Sequence, residues 1–256
     1  MEQTVVQNKL DWEKFKHHFH SSYWSKMKNI IESPELYEIY QELKNYSKTQ
    51  KVVPYSDDVF KCFQVDLAKL KVFILGADPY PQVFNSIPAA NGRSFCCEQY
   101  GRKSPSLEIL HRAIENDLYK GLNLFWQKDH LSLKYLEDQG VMLANASLTT
   151  IRDKPGKMEG LWEPFWKLVF EQIFQYQNGL IMIGFGKSAE KIIVKYHTPF
   201  IHYTYFLEHP AFAARNNRDL EHKNCFSEVN KLLESNNGRG SEIKWLYEPH
   251  NDCPFA

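Results

Sequence analysis

Three polar residues stand where apolar runs of this chain stop: Asp78 after KVFILGA, Asn145 after VMLA, and His209 after FIHYTYFLE. Their types can carry chemistry: a carboxylate accepts hydrogen bonds, a carboxamide presents a donor beside an acceptor, and an imidazole can donate, accept or titrate near neutral pH. Each also has a plainer reading. Asp and Asn are favoured turn residues, and a histidine followed by Pro210 is as readily a satisfied structural group. Their joint occurrence argues for chemistry, because parallel strands of one open sheet bring their carboxyl ends to one rim, where such sheets bind ligands.

Two further segments are suited to an anion. Ser104-Pro105-Ser106 opens a helical stretch, and Gly184-Phe185-Gly186-Lys187-Ser188 turns from a strand into another helix. Both expose unpaired backbone N–H groups beside small hydroxyl residues, which fits one phosphate, although an ordinary helix cap has the same signature. Gly184, Gly186 and Ala189 also match the loose G-x-G-x-x-A form of the dinucleotide fingerprint, without the P-loop spacing. A Rossmann-type nucleotide enzyme read from that match leaves Asp78 and Asn145 without a role.

The elements that must position these residues follow from periodicity. Short apolar runs at Val72–Leu75, Val141–Leu143, Gly179–Ile183 and Phe200–Phe206 read as buried parallel strands. Helical spacing predicts helices over Leu107–Leu118, capped by Ser104 or Ser106, over Leu131–Gln139, ended by Gly140, and over Trp162–Tyr176, after Gly186, and Cys225–Glu234. Residues 10–48 predict two amphipathic helices, and Ser56, Asp57 or Asp58 caps a short helix leading to the first strand. Asn91–Cys97 reads as a short extended segment with Cys96 and Cys97 in a strand, Ile151–Gly160 as a polar loop with Arg152, Lys154 and Lys157, and Ile243–Tyr247 as a short terminal segment after an SNNGRG linker. The expected fold class is α/β: a single domain with a central four-stranded parallel sheet flanked by helices on both faces. N-terminal helices take residues 1–50, the core 71–233, and a tail 234–256.

Composition narrows the function classes. At 30.2 kDa the chain is long enough for one large domain, and a formal charge of zero with a pI of about 7.1 means that a polyanion must be met by a local patch. No run of eighteen apolar residues and no apolar signal region near the N-terminus is present, so an intracellular protein is expected, cytoplasmic in a bacterium or nuclear in a eukaryote or its virus, with no membrane association. Cys62, Cys96, Cys97, Cys225 and Cys253 lack CxxC spacing and read as reduced thiols.

Six segments occur in order: Gly76-Ala77-Asp78-Pro79-Tyr80-Pro81, Gly92-Arg93-Ser94-Phe95, Ser104-Pro105-Ser106-Leu107, Met142-Leu143-Ala144-Asn145, Phe185-Gly186-Lys187-Ser188-Ala189 and His209-Pro210-Ala211-Phe212-Ala213-Ala214. In that order and strand context they resemble the uracil-DNA glycosylase family over nearly the whole chain. Their counterparts are its water-activating G-Q-D-P-Y-H-G, its segment ending in Phe, its proline-serine turn, its L-L-N-A strand end, its Gly-Ser loop and its H-P-S-P-L-S segment.

The resemblance implies hydrolysis of the bond between uracil and deoxyribose in DNA, the first step of base excision repair, without cofactor or metal. It implies catalytic roles for Asp78 on the sugar side and for His209, as a neutral imidazole, on the uracil O2 side. Uracil would be held by Ala77, Tyr80, Phe95 and Asn145, with Tyr80 filling the space of thymine's methyl group and Phe95 stacking on the flipped base. DNA would be gripped by Ser106, Gly186, Lys187 and Ser188, and by Ala211, Phe212 and Arg215 of the loop after His209.

The chain departs from the pattern at Ala77 and Pro81, which replace Gln and His, at Lys187 in place of a serine, and at Ala213 in place of the wedge leucine. Phe212, with Arg215 as second choice, is expected to fill the gap in the base stack. The implied partners are single- and double-stranded uracil-containing DNA and a proteinaceous inhibitor, and the implied state is a monomer. The alternative is a catalytically weak or inactive glycosylase-like subunit used for DNA binding or processivity.

Overall fold

The structure is a computed structural model that describes residues 9–101, 103–120 and 131–247. Cys253 and the last part of the expected tail lie outside the described residues. The central sheet has strands β1 (Val72–Gly76), β2 (Val141–Asn145), β3 (Leu180–Phe185) and β4 (His202–Leu207) in the order β2-β1-β3-β4. All three pairings are parallel, with Gly76 opposite Asn145, Leu75 opposite Gly184 and Phe185 opposite Leu207. The expected four-stranded parallel sheet is the one observed, and the chain forms one α/β domain.

Why the first three of these runs make strands buried on both sides is visible in their alternation, whereas β4, expected as a buried strand over Phe200–Phe206, starts at His202 and is a part-exposed edge strand, with Tyr203 in it and Phe200 before it facing solvent. Phe73, Leu75, Met142, Ala144 and Met182 point into one core, whereas Val72, Ile74, Val141, Leu143, Ile181 and Ile183 point into the other. On the first face lie α1 (Trp24–Ile31), α2 (Pro34–Ser47), and, later in the chain, Glu163–Gln172 and Lys187–Tyr196. That core is aromatic, with Trp166, Phe170 and Phe174 around Phe73, and Phe63 and Phe165 against Trp166. The second face is covered by α3 (Pro105–Leu118), by Cys225–Asn237, and by Trp245 against Phe226 with ring centroids 5.1 Å apart. In chain order, α4 is Glu163–Gln172, α5 Lys187–Tyr196, α6 Pro210–Arg215 and α7 Cys225–Asn237.

Several boundaries differ from the sequence-based expectation. Asn91–Cys97 is a chain of turns, not an extended segment, because Phe95 takes a left-handed φ of +62° and Cys96 turns inward between Asn91 and Leu131. The helix expected over Leu131–Gln139 is a single turn, Lys134–Glu137, since Leu133 just before it has φ +52°. Trp162–Tyr176 is α4 followed by a separate 3₁₀ turn, split at Ile173. The short helix expected after Ser56 is a pair of 3₁₀ turns, and Ile243–Tyr247 is neither helix nor strand but is tied to α7 through Asn230. Two two-residue ladders, Val52–Val53 with Thr150–Ile151 and Val83–Phe84 with Ile87–Pro88, are too short to leave a periodic signal.

Candidate active site

At the carboxyl rim of the sheet the ends of β1, β2 and β4 converge. One narrow cleft, with a cavity volume of about 20 Å³, is lined by Asp78, Pro79, Tyr80, Arg93, Phe95, Ser106, Asn145 and His209. The three strand-end residues that suggested chemistry therefore share a single cavity. A wider depression at the opposite, amino-terminal rim, bounded by Lys69, Gln177, Asn178 and Phe200, contains none of the residues singled out in the sequence.

Asn145 is the last residue of β2 and 6 % exposed, and among the described residues no hydrogen bond engages its amide, which is left facing the cleft. Its position depends on Gly76 in the neighbouring strand: a Cβ there would lie 2.6 Å from Asn145 Oδ1 and 3.3 Å from Ser94 Cβ. Phe95 forms the floor, its ring 5.2 Å from Phe185 and 5.9 Å from His209, on a backbone at φ +62°. A non-glycine residue held there costs of order 1–3 kcal/mol, and such strain collects at functional sites. Tyr80 is a fixed wall. Its hydroxyl lies 2.5 Å from Ser104 Oγ, the N-cap of α3, and 3.4 Å from the Phe95 carbonyl.

Asp78 sits two residues beyond β1, half-buried, with Oδ2 accepting the Gly156 N–H at 2.8 Å. Burial raises its pKa above the ordinary 3.8, the Gly156 hydrogen bond opposes that shift, and the nearby Glu159 charge adds to it. His209 caps α6, and its Nδ1 accepts the Ala211 N–H at 3.2 Å. That contact fixes the tautomer, leaving the proton on Nε2. Burial, and secondarily the positive Arg215, push its pKa down to about 4, so the ring is neutral at pH 7.

The remaining sequence-predicted residues flank the cleft. Ala77 is bound through its carbonyl by Ser147 N at 2.9 Å, and Pro81 likewise by Asp153 N at 3.0 Å, so the water-activating segment is fixed by backbone contacts where side chains are missing. Gly186, at φ +85°, lies so close to His209 that a Cβ would meet the imidazole's Cβ at 3.0 Å. Lys187 is exposed at the start of α5, and Ser188 Oγ donates to Glu159 Oε1 at 2.8 Å. Ala213 is fully buried, whereas Phe212 is 47 % exposed beneath the Arg218 guanidinium, 5.7 Å from the ring centroid.

Arg93 was not singled out from the sequence for its own side chain, although it stands in the quoted segment. Its guanidinium is bidentate to Glu137, at 2.6 and 2.7 Å, and the two side chains are only 8 % and 5 % exposed. Removing one partner strands the other charge, so Glu137→Ala is expected to destabilise the fold by about 3–5 kcal/mol. Thermal melts check this: a variant melting with the unsubstituted protein would show that the pair contributes nothing to the cleft wall.

No family model matches the chain. Curated relatives do: a uracil-DNA glycosylase of Bacillus pumilus is 28 % identical over 230 residues, 89 % of this chain and 96 % of that protein. "Uracil-DNA glycosylase 1" of Listeria monocytogenes serotype 4b is 30 % identical over 221 residues, covering 86 % of this chain and 94 % of its own length. The chain belongs to the uracil-DNA glycosylase family. In fold it matches the crystal structure of mimivirus uracil-DNA glycosylase with a TM-score of 0.75 at 23 % identity, over 90 % of this chain and 88 % of that one. A variant of the mimivirus protein, solved in complex with UGI, superposes with a TM-score of 0.73. In this member of the uracil-DNA glycosylase family, then, the cleft lies at the carboxyl rim of the sheet, and Arg93, Pro79, Gly156 and Glu159 join the residues that sequence reasoning had named.

Proposed function

We propose that this uracil-DNA glycosylase frees uracil from DNA by hydrolysing its N-glycosidic bond and leaves an abasic site, the opening step of base excision repair. The observation that carries the reading is the convergence of Asp78, Asn145 and His209 in one cleft. Bond cleavage separates a cationic sugar from a uracil anion. The ionised Asp78 faces the sugar and orients the attacking water, and His209 Nε2–H donates to uracil O2 from a dry, preorganised position.

Asn145 reads the base. Its amide accepts from uracil N3–H and donates to O4, and cytosine reverses both groups, leaving buried polar atoms unpaired at about 1–3 kcal/mol each. Tyr80, pinned by Ser104, excludes a 5-methyl group sterically, Phe95 stacks on the ring, and Ala77 lends its backbone to the base. Ser106 and the Gly186-Lys187-Ser188 turn hold phosphates of the distorted strand, with Ala211 and Arg215 on the far side. The chain acts without a cofactor and as a monomer, as the family resemblance implies. A protein inhibitor covering the DNA groove is the partner we propose besides DNA itself.

Phe212 is the wedge that fills the hole left by the extruded base, as its exposure allows and the burial of Ala213 forbids for that residue. Phe212→Ala should therefore lose about tenfold or more on duplex substrate, the worth of an apolar side chain of 1.5–3 kcal/mol, with little loss on single strands. Parallel assays on both substrates check this, and equal losses would remove Phe212 from the role.

The test of the whole reading is release of free uracil from a uracil-containing oligonucleotide. Release by the unsubstituted protein, lost in Asp78→Asn, is the expected result. DNA binding without any release would make the chain a glycosylase-like binding subunit instead.

A further inference from the structure

We propose that Glu159 is a built-in competitor for the DNA phosphate, occupying the Gly186-Lys187-Ser188 turn until a nucleic-acid phosphate displaces it. The inference rests on the reading of that turn as part of the phosphate grip. Ser188 Oγ, the hydroxyl that would serve a phosphate oxygen, donates to Glu159 Oε1 at 2.8 Å. A carboxylate oxygen and a phosphate oxygen ask the same of this donor, and both are favoured at the positive end of the ten-residue α5.

Glu159 is held in place and does not merely drift past. Its neighbour Met158 is 2 % exposed, with the Met158 carbonyl accepting Ser147 Oγ at 3.0 Å and its Sδ accepting Thr149 Oγ1 at 3.2 Å. Glu159 N–H donates to the Gly156 carbonyl, and Gly156 N–H in turn holds Asp78. One short loop thus joins the acid of the cleft to the anion site. The Glu159 charge also reaches Asp78, on which it acts in the same direction as burial. Because Glu159 itself is exposed, the contact is weak enough for DNA to break, and its effect is to lower affinity for DNA that lacks a well-placed phosphate.

The test is fluorescence anisotropy with a short single-stranded oligonucleotide carrying a tetrahydrofuran abasic analogue, titrated across a range of salt. Glu159→Gln, near-isosteric and exposed, is expected to bind about two- to fivefold tighter, as one exposed charged contact allows. Its log Kd against log salt should keep the slope of the unsubstituted protein, because the same phosphate is bound in both once Glu159 has been displaced. With uracil-containing substrate KM should fall by the same factor. The control is Glu190→Gln, an exposed acid in the first turn of the same helix that makes no contact with Ser188. In a Ser188→Ala background the Glu159 substitution should gain no more than this control. Binding of Glu159→Gln equal to the unsubstituted protein, or tightened only as much as Glu190→Gln, overturns the proposal. Absence of uracil release by the unsubstituted protein would overturn the functional reading instead, whatever the anisotropy shows.

Discussion

Asp78→Asn is expected to lower uracil release about 10³–10⁴-fold, leave DNA binding in place, and raise the melting temperature at neutral pH. The activity loss follows from removing the anion that faces the developing sugar cation together with the acceptor for the water's proton. The stability gain follows from the carboxyl's raised pKa. Between 3.8 and the higher folded value the native state binds more protons at this site than the unfolded chain does, so stability falls as pH rises through that window and stays lower above it. A neutral amide removes this cost and keeps an oxygen for Gly156 N–H. The same shift moves the acid limb of kcat/KM toward higher pH. Calorimetry and single-turnover assays check both halves. A melting temperature that falls on substitution would show that Asp78 is held by attractive contacts and not poised against its surroundings.

His209→Leu should reduce kcat about 10²–10³-fold with little change in KM, the loss expected for one donor aimed at a forming oxyanion. Nε2 is the donor because Nδ1 is engaged by Ala211 N–H, and the ring is uncharged because its pKa lies near 4. A histidine neutral in the fold but charged when unfolded makes stability depend on acid. The contribution is complete above the ordinary 6.5, declines as pH drops from there, and is gone below about 4. The span corresponds to about 3 kcal/mol at 1.36 kcal/mol per pKa unit. The leucine variant loses this dependence and also the cap on α6, a cost of about 1 kcal/mol at every pH. Urea midpoints from pH 7 to 4 distinguish the two: parallel curves for both proteins would mean that the histidine is charged in the fold and that its role is not neutral donation.

The cleft was legible in the sequence to the extent that it is built at strand ends. Asp78, Asn145 and His209 each follow an apolar run, and a parallel sheet leaves one rim for them. Tyr80 and Phe95 came only with the family resemblance, because an aromatic residue at those spacings has no signature separating a pocket wall from a core. Arg93 was hidden for a different reason. Its meaning lies in Glu137, 44 positions away, and no local pattern announces a buried ion pair. Glu159 was equally silent, since an exposed acid in a polar loop is ordinary until a serine from another element is found against it. Two of the boundaries that went astray share one cause: Phe95 and Leu133 adopt left-handed backbones that tertiary packing imposes against their own preference.

The close approach of Asn145 Oδ1 to the backbone of Gly76 limits how the pocket can be retuned. Any side chain at 76 would push the amide off the adjacent strand, and the bases accepted would shift through misalignment before any new contact was made. Laboratory selection for altered base preference therefore meets its tightest backbone constraint at 76. Recognition here is inseparable from the register of two neighbouring strands, and a variant library that randomises position 76 would spend most of its members on chains in which the Asn145 amide is displaced.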